Sequence, residues 1–284
     1  MNMRRYKFKT QQPKLVPLEK LKKKGILGNK KYIGEPKFDG IRAILVKRGN
    51  KVKILSRYGD DITEHFPTLV EAAKKLKHDI TLDGEITVKD EKSKTHFEKI
   101  ISLLKSKKPK RYPVIYHVFD ILSVEGKDIK NKPLIERKKI LNRILKKKPR
   151  TIKITPFKIA PTVDDYKKFV KEGYEGIVIK KIDSKYKPGK RIMDWIKYKK
   201  EQTIDARIVG LKKTPKGKMS FVIKDLKGNP LGLVSSAKLT TEQREMLIEE
   251  IEKGKKPRVE VVGTKTIKGK IRHPRIVKIR LDLK

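Results

Sequence analysis

A chain of 284 residues holds 76 Lys+Arg against 33 Asp+Glu, a formal net charge of +43, and at roughly 150 residues per domain its length suits one or two domains. No apolar run approaches the roughly 20 residues of a membrane span, and the opening Met-Asn-Met-Arg-Arg leads into no apolar signal core, so neither an integral membrane protein nor a secreted one is expected. The absence of Cys excludes disulfides, zinc ribbons and thiol nucleophiles, while so large a surplus of positive charge points to a polyanionic partner, nucleic acid first.

Apolar periodicity predicts strands over 32–34, 41–47 and 52–57, the last two joined as a hairpin across Arg48-Gly49-Asn50-Lys51. Leu69, Ala72, Ala73 and Leu76 recur at helical spacing in a helix entered through Pro67. A strand follows over 80–88, a helix over 97–104, and the most apolar strand over 114–122. Helix 134–145, strand 152–159, helix 163–172 and strand 177–180 complete this part. From 203 onward the style changes to short strands (206–211, 221–225, 231–235), one helix (241–253) with Thr240 or Thr241 as N-cap, and strands 258–262 and 275–281. Three strands, a helix and two strands suit a five-stranded OB-type barrel. The expected division is therefore 1–202 and 203–284. Residues 203–284 hold 21 Lys+Arg and 9 Asp+Glu, a net of +12, which leaves +31 for 1–202; both parts are basic.

Several clusters carry chemistry. In Lys37-Phe38-Asp39-Gly40-Ile41-Arg42, a lysine amine attacks phosphorus only when unprotonated, which requires cationic neighbours, a metal or burial. Asp39 suits orienting that amine or holding a water on a metal, and Arg42 suits a phosphate or ribose. Ser56-Arg57-Tyr58-Gly59 ends the hairpin, Asp83-Gly84-Glu85 places two carboxylates around a glycine, and Tyr116-His117-Val118-Phe119-Asp120 ends an apolar strand. Glu175 and Lys180 stand at opposite ends of another strand. Tyr186-Lys187-Pro188-Gly189-Lys190-Arg191 leads to Trp195-Ile196-Lys197-Tyr198-Lys199, where alternation puts Lys197 and Lys199 on one strand face.

In this order and spacing the clusters resemble the covalent nucleotidyltransferase superfamily, most closely the small ATP-dependent DNA ligases, from about residue 17 to the C-terminus. The resemblance implies an α+β chain: a nucleotidyltransferase (adenylation) domain of ATP-grasp-like antiparallel sheets, followed by a C-terminal five-stranded OB-fold barrel. It implies ATP and Mg²⁺ as cofactors, with Mn²⁺ as a substitute, and nicked double-stranded DNA as partner. A monomer in the cytoplasm of a prokaryote, or of a host cell if viral, is expected, with no membrane association and no separate N-terminal DNA-binding domain. Carried over, Lys37 would be the nucleophile that takes AMP from ATP, with Glu35 as an adenine-side contact. Arg42 and Arg57 would bind the nucleotide and the nick phosphate, Glu85 the ribose, and Phe119 would stack on adenine. Glu175, with Asp39, would serve the metal. Arg191, Lys197 and Lys199 would neutralise the α-phosphate. Arg272, Arg275, Arg280 and Asp282 would form the C-terminal motif for pyrophosphate departure.

That last motif departs from the family pattern, since Asp282-Leu283-Lys284 replaces an adjacent Asp-Lys. Taken singly the bland readings hold ground: Phe119 and Trp195 as core aromatics, Asp83-Gly84-Glu85 as a turn, His117 as structural, and the Lys runs as solvated faces. Taken together, six ordered matches favour the ligase over an RNA ligase, a GTP-using mRNA-capping nucleotidyltransferase, or a non-catalytic basic nucleic-acid-binding protein.

Overall fold

The structure is a computed structural model that describes residues 9–88, 97–105, 113–199, 202–213, 219–236, 239–265 and 270–280. The chain divides into two compact units, Met1–Lys199 and Lys200–Lys284. Among the described residues no helix is long and apolar enough to cross a membrane.

The first unit runs β1 (Lys14–Leu15), α1 (Leu18–Lys23), β2 (Tyr32–Lys37), β3 (Ile41–Arg48), β4 (Lys51–Ser56), α2 (Pro67–Lys74), β5 (Ile80–Val88) and α3 (Phe97–Lys105). It continues through β6 (Val114–Val124), β7 (Lys127–Asp128), α4 (Leu134–Ile144), β8 (Ile152–Ile154), β9 (Lys158–Ile159), α5 (Val163–Lys171), β10 (Gly176–Lys181) and β11 (Trp195–Lys199). Two sheets result. One has the order β4-β3-β5-β6-β7 with β8 also on β6, and the other β1-β11-β10-β2-β9. Alternating side-chain direction along β3 and β5 lets one face of the first sheet bury Ala43, Leu45 and Leu82 against Leu69 and Ala73 of α2 and Leu141 of α4. The second sheet sets Ile177, Ile179 and Ile196 against Leu21 of α1 and Tyr166 of α5. Where the inner faces of the two sheets meet, Ile44, Leu55 and Leu122 pack with Tyr186 and Trp195.

The segment expected as one strand over 152–159 is two strands in different sheets. β8 pairs in parallel with β6, whereas β9 pairs antiparallel with β2. Pro156 lies between them; it has no N–H to donate to a ladder, so the chain leaves one sheet there and enters the other. Helix α1 follows Pro17 and was not foreseen, its Lys-rich sequence reading as a charge run.

The second unit runs β12 (Gln202–Lys213), β13 (Met219–Asp225), β14 (Pro230–Ser235), α6 (Thr241–Glu252), β15 (Arg258–Lys265) and β16 (Ile271–Arg280). The strands close into a barrel in the order β12-β13-β14-β16-β15, with β14 and β16 parallel and α6 entered between β14 and β15. This is the five-stranded OB arrangement. Its apolar core is built from Ala206, Ile208, Phe221, Ile223, Val234, Leu247, Val259 and Val261. Strands β12 and β16 are longer than their apolar cores suggested, because polar residues at their ends still pair.

Candidate active site

Strands β2, β10 and β11 lie side by side, and their register sets the site. Lys37, Gly176 and Lys199 share one row across the three strands; Glu35, Val178 and Lys197 share the next; Ile33, Lys180 and Trp195 share the third. Residues two apart along a strand point the same way, so all nine face the same side. Gly176 is required at the centre of its row: its φ is +158°, and an added Cβ would stand 2.2 Å from the Tyr198 carbonyl oxygen. Gly40 is under the same constraint, since a Cβ there would fall 2.2 Å from the Ile86 carbonyl oxygen.

At the first row the Lys37 amine donates a short hydrogen bond to Glu175, and Lys199 pairs with the other oxygen of that carboxylate at 3.1 Å. Burial alone would raise the Glu175 pKa, but Lys37 and Lys199 outweigh it and hold the carboxyl at about 2. Half-buried Lys197 lies below the usual lysine range, first through desolvation and then through repulsion from Lys37 and Lys199. Exposed Arg191 adds to that repulsion. Glu85, on β5, is pushed up to about 7, chiefly by burial and against the pull of Lys37 and Arg42. One carboxylate of the site is therefore firmly ionised and the other titrates near neutrality.

The Phe38 ring stacks on His117 with centroids 3.9 Å apart and meets Tyr174 edge-on at 5.4 Å, which fixes the chain just after Lys37. Burial, then Lys153, lowers the His117 pKa to about 4, so the stacked imidazole is neutral at pH 7. Asp39 is half-buried in the bend that follows.

The second and third rows build a buried charge cluster. Glu35, 2% exposed, accepts a short hydrogen bond from Lys138 of α4 and pairs with Lys180 at 2.7 Å. Desolvation brings Lys180 down to about 8, opposed by Glu35 and assisted by Lys138. The Lys180 Nζ also lies 4.1 Å from the ring centroids of both Phe119 and Trp195. Beside it Arg137 grips Asp120 with two hydrogen bonds of 2.8 Å, both side chains being fully buried. Phe119 reaches this place through a β-bulge: Asp83 pairs with Asp120 and Gly84 with Val118, leaving Phe119 as the extra residue of β6. It thereby joins Trp195, edge-on at 6.1 Å.

The Arg42 fork is occupied. It holds Asp83 through bonds of 2.9 and 2.6 Å and donates to the Gln11 carbonyl at 2.5 Å. Tyr186 donates to the same Asp83 at 2.7 Å. Exposed Arg57 donates to Gln12 at 3.1 Å. Arg272, Arg275 and Arg280 lie on β16 in the second unit, where the Arg280 Nε is buried without an acceptor among the described residues. Asp282 lies outside the described residues.

Sequence reasoning thus missed Gln11, Gln12, Arg137 and Lys138 as parts of the site, and it placed Asp83 and Tyr186 in its clusters without giving either a role. For Arg137 and Lys138 a signal existed. They share the inward stripe of α4 with Leu134 and Leu141, positions at which a cation needs a buried partner.

A lysine amine on a carboxylate shared with a second lysine, with further cations near it on a mainly antiparallel sheet and an OB barrel following in the chain, is the arrangement expected of the covalent nucleotidyltransferase class. The family model described as an ATP dependent DNA ligase domain matches residues 16–199, and the chain belongs to that family. It is 37% identical over 170 residues to the SPbeta prophage-derived DNA ligase-like protein LigB of Bacillus subtilis, covering 58% of this chain and 60% of that protein. Over 195 residues it is 32% identical to a probable DNA ligase of Aquifex aeolicus, covering 62% of this chain and 33% of the relative. The chain therefore spans between a third and three fifths of the length of these relatives. In fold it is similar to a mycobacterial DNA ligase D complexed with ATP and MES, with a TM-score of 0.61 at 20% identity, covering 98% of this chain and 96% of that one. A Lig E DNA ligase aligns with a TM-score of 0.68 at 19% identity, covering 96% and 99%.

Proposed function

We propose that this protein is an ATP-dependent DNA ligase that seals 5′-phosphate/3′-hydroxyl nicks in duplex DNA, acting as a monomer. The observation that carries the reading is the Lys37 amine, aimed by Glu175 and flanked by Lys197 and Lys199. In the first step Lys37 Nζ attacks the α-phosphorus of ATP, an N–P bond forms, and the bond to pyrophosphate breaks. In the second a 5′-phosphate oxygen of the nick takes the AMP and releases the lysine. In the third the 3′-hydroxyl attacks that phosphate and AMP leaves. Each step places negative charge where fixed cations already stand, so positioning and electrostatic stabilisation supply most of the acceleration. Glu175 keeps the amine oriented until substrate phosphates draw Lys199 and Lys197 toward themselves.

Among the described residues no group of three or more acidic or histidine side chains is gathered for a metal. Mg²⁺ needs none, since it is commonly held by one or two carboxylates together with substrate phosphates. Glu175 and Glu85, close enough for the Glu175 charge to oppose ionisation of Glu85, are hard-oxygen donors of the right kind. Bound there, the metal would offset phosphate charge.

The test is direct. Incubation with radiolabelled ATP and Mg²⁺, followed by a denaturing gel, is expected to label the intact protein and not Lys37→Ala. Label from GTP alone would indicate a capping-type enzyme, and no label at all would end the enzymatic reading. A nicked DNA duplex then shows whether the AMP proceeds to sealing.

A further inference from the structure

Tyr58 is 68% exposed, the most exposed large hydrophobic side chain among the described residues. It does not sit on a loose loop. The Ser56 hydroxyl accepts the N–H groups of Tyr58 at 3.1 Å and Asp60 at 3.2 Å and donates to the Asp60 carboxylate at 2.9 Å. The backbone N–H of Ser56 donates to the Asp60 carbonyl at 2.8 Å, and that of Gly59 to the Ser56 carbonyl at 3.0 Å. The turn is thus bound to itself and holds an aromatic ring out in water.

The surroundings of the ring are cationic. The Arg57 guanidinium lies 4.9 Å from the Tyr58 centroid, and its Nη2 donates to the Gln12 side chain at 3.1 Å. The backbone N–H of Gln12 donates in turn to the Lys190 carbonyl at 2.8 Å. Three separate segments, around 12, 57 and 190, are therefore tied together by hydrogen bonds, with Arg57 at the ring and Lys190, also exposed, on the segment tied to Gln12. A rigid, exposed aromatic next to fixed cations is the combination that binds nucleic acid through a base or sugar face and the adjoining phosphates.

We propose that Tyr58 is a stacking platform for the terminal nucleotide at the strand break of a nicked duplex, with Arg57 and Lys190 gripping the flanking phosphates. The inference rests on the ligase reading and adds a residue that senses the break itself. Within an intact duplex each base is covered on both faces by its neighbours. Only at an interruption of the backbone is a nucleotide free to turn a face toward a protein side chain.

The experiment is equilibrium binding of the full-length protein to a nicked duplex with a 3′-deoxy end, which cannot be sealed, and to the same duplex without the nick. Tyr58→Ala is expected to weaken nicked-duplex binding about tenfold, or about 1.4 kcal/mol, and to leave intact-duplex binding unchanged. Tyr58→Phe, which keeps the ring, is expected to bind like the parent. Stacking releases no counterions, so the salt slope of Tyr58→Ala should match the parent, whereas Arg57→Gln should lower it by about one. Equal affinity of Tyr58→Ala for the nick, an equal loss on both duplexes, or failure of Tyr58→Phe would overturn the proposal. Failure of the ligase reading shows separately, as absence of ATP label on the parent protein, and leaves the binding comparison readable.

Discussion

The two units handle charge in opposite ways. Among the described residues the second unit buries apolar side chains with only Ser220 and Ser236 beside them, and no charged residue is buried there. In the first unit Arg137, Lys138 and Lys180 are buried to 1% exposure or less, each against a carboxylate. Such pairs contribute little net stability, because desolvation consumes most of the Coulomb attraction. Glu35 and Lys180 of this cluster stand one and two rows from Lys37, so the cost of burying charge falls on the same sheet as the proposed site. The barrel, with no such demand on its interior, is free to pack for stability alone.

Substitutions of conserved shape test that contrast most strongly. Arg137→Met leaves the buried Asp120 carboxyl without its guanidinium partner and should cost about 3–5 kcal/mol. Leu247→Met in the barrel should cost less than about 1.5 kcal/mol. Urea titrations distinguish them, and Trp195, the only tryptophan, reports on the first unit by its fluorescence. Similar losses from both changes would break the contrast.

A smaller effect concerns pH. Glu85 has a folded pKa of about 7 against an ordinary 4.5, so the folded state holds its proton longer and stability falls as pH rises from 4.5 to 7. Glu175, held at about 2, contributes stability that is complete above 4.5 and is lost as pH falls toward 2. Between 4.5 and 7 Glu85→Gln should therefore flatten the decline seen by Trp195 fluorescence, and Glu175→Gln should not. The smallest effect should be alike in both units. Thr162 and Thr240 each close a capping box, with Asp165 and Gln243. Replacing either by Ala should cost about 1 kcal/mol, measured by thermal unfolding, because a cap acts on its own helix whatever the core contains.

Much of this was legible beforehand and some was not. The motif order located Lys37, Glu175, Lys197 and Lys199, since strand alternation and a fixed register carry spacing directly into geometry. Phe119 was legible as an aromatic on an apolar strand, but its direction was not, because a bulge shifts the side-chain alternation by one residue. Lys138 was hidden by abundance: with 38% of the chain charged, a lysine in an apolar stripe does not stand out. Gln11 and Gln12 carry no motif at all. They matter because the extended segment they occupy lies along the loop at 186–190, some 175 positions away in the chain.

By itself, then, the sequence determined the family and the basic character of both units, and it singled out Lys37 as the amine for the proposed covalent chemistry, all of which rest on residue type and local spacing. The tertiary structure alone decided which cations are buried, which carboxylate each one meets, that the Arg42 fork closes on Asp83 and Gln11, and that Tyr58 stands in water. Those outcomes depend on which strands become neighbours and in what register, and pairing over long separations leaves no local trace in the order of residues.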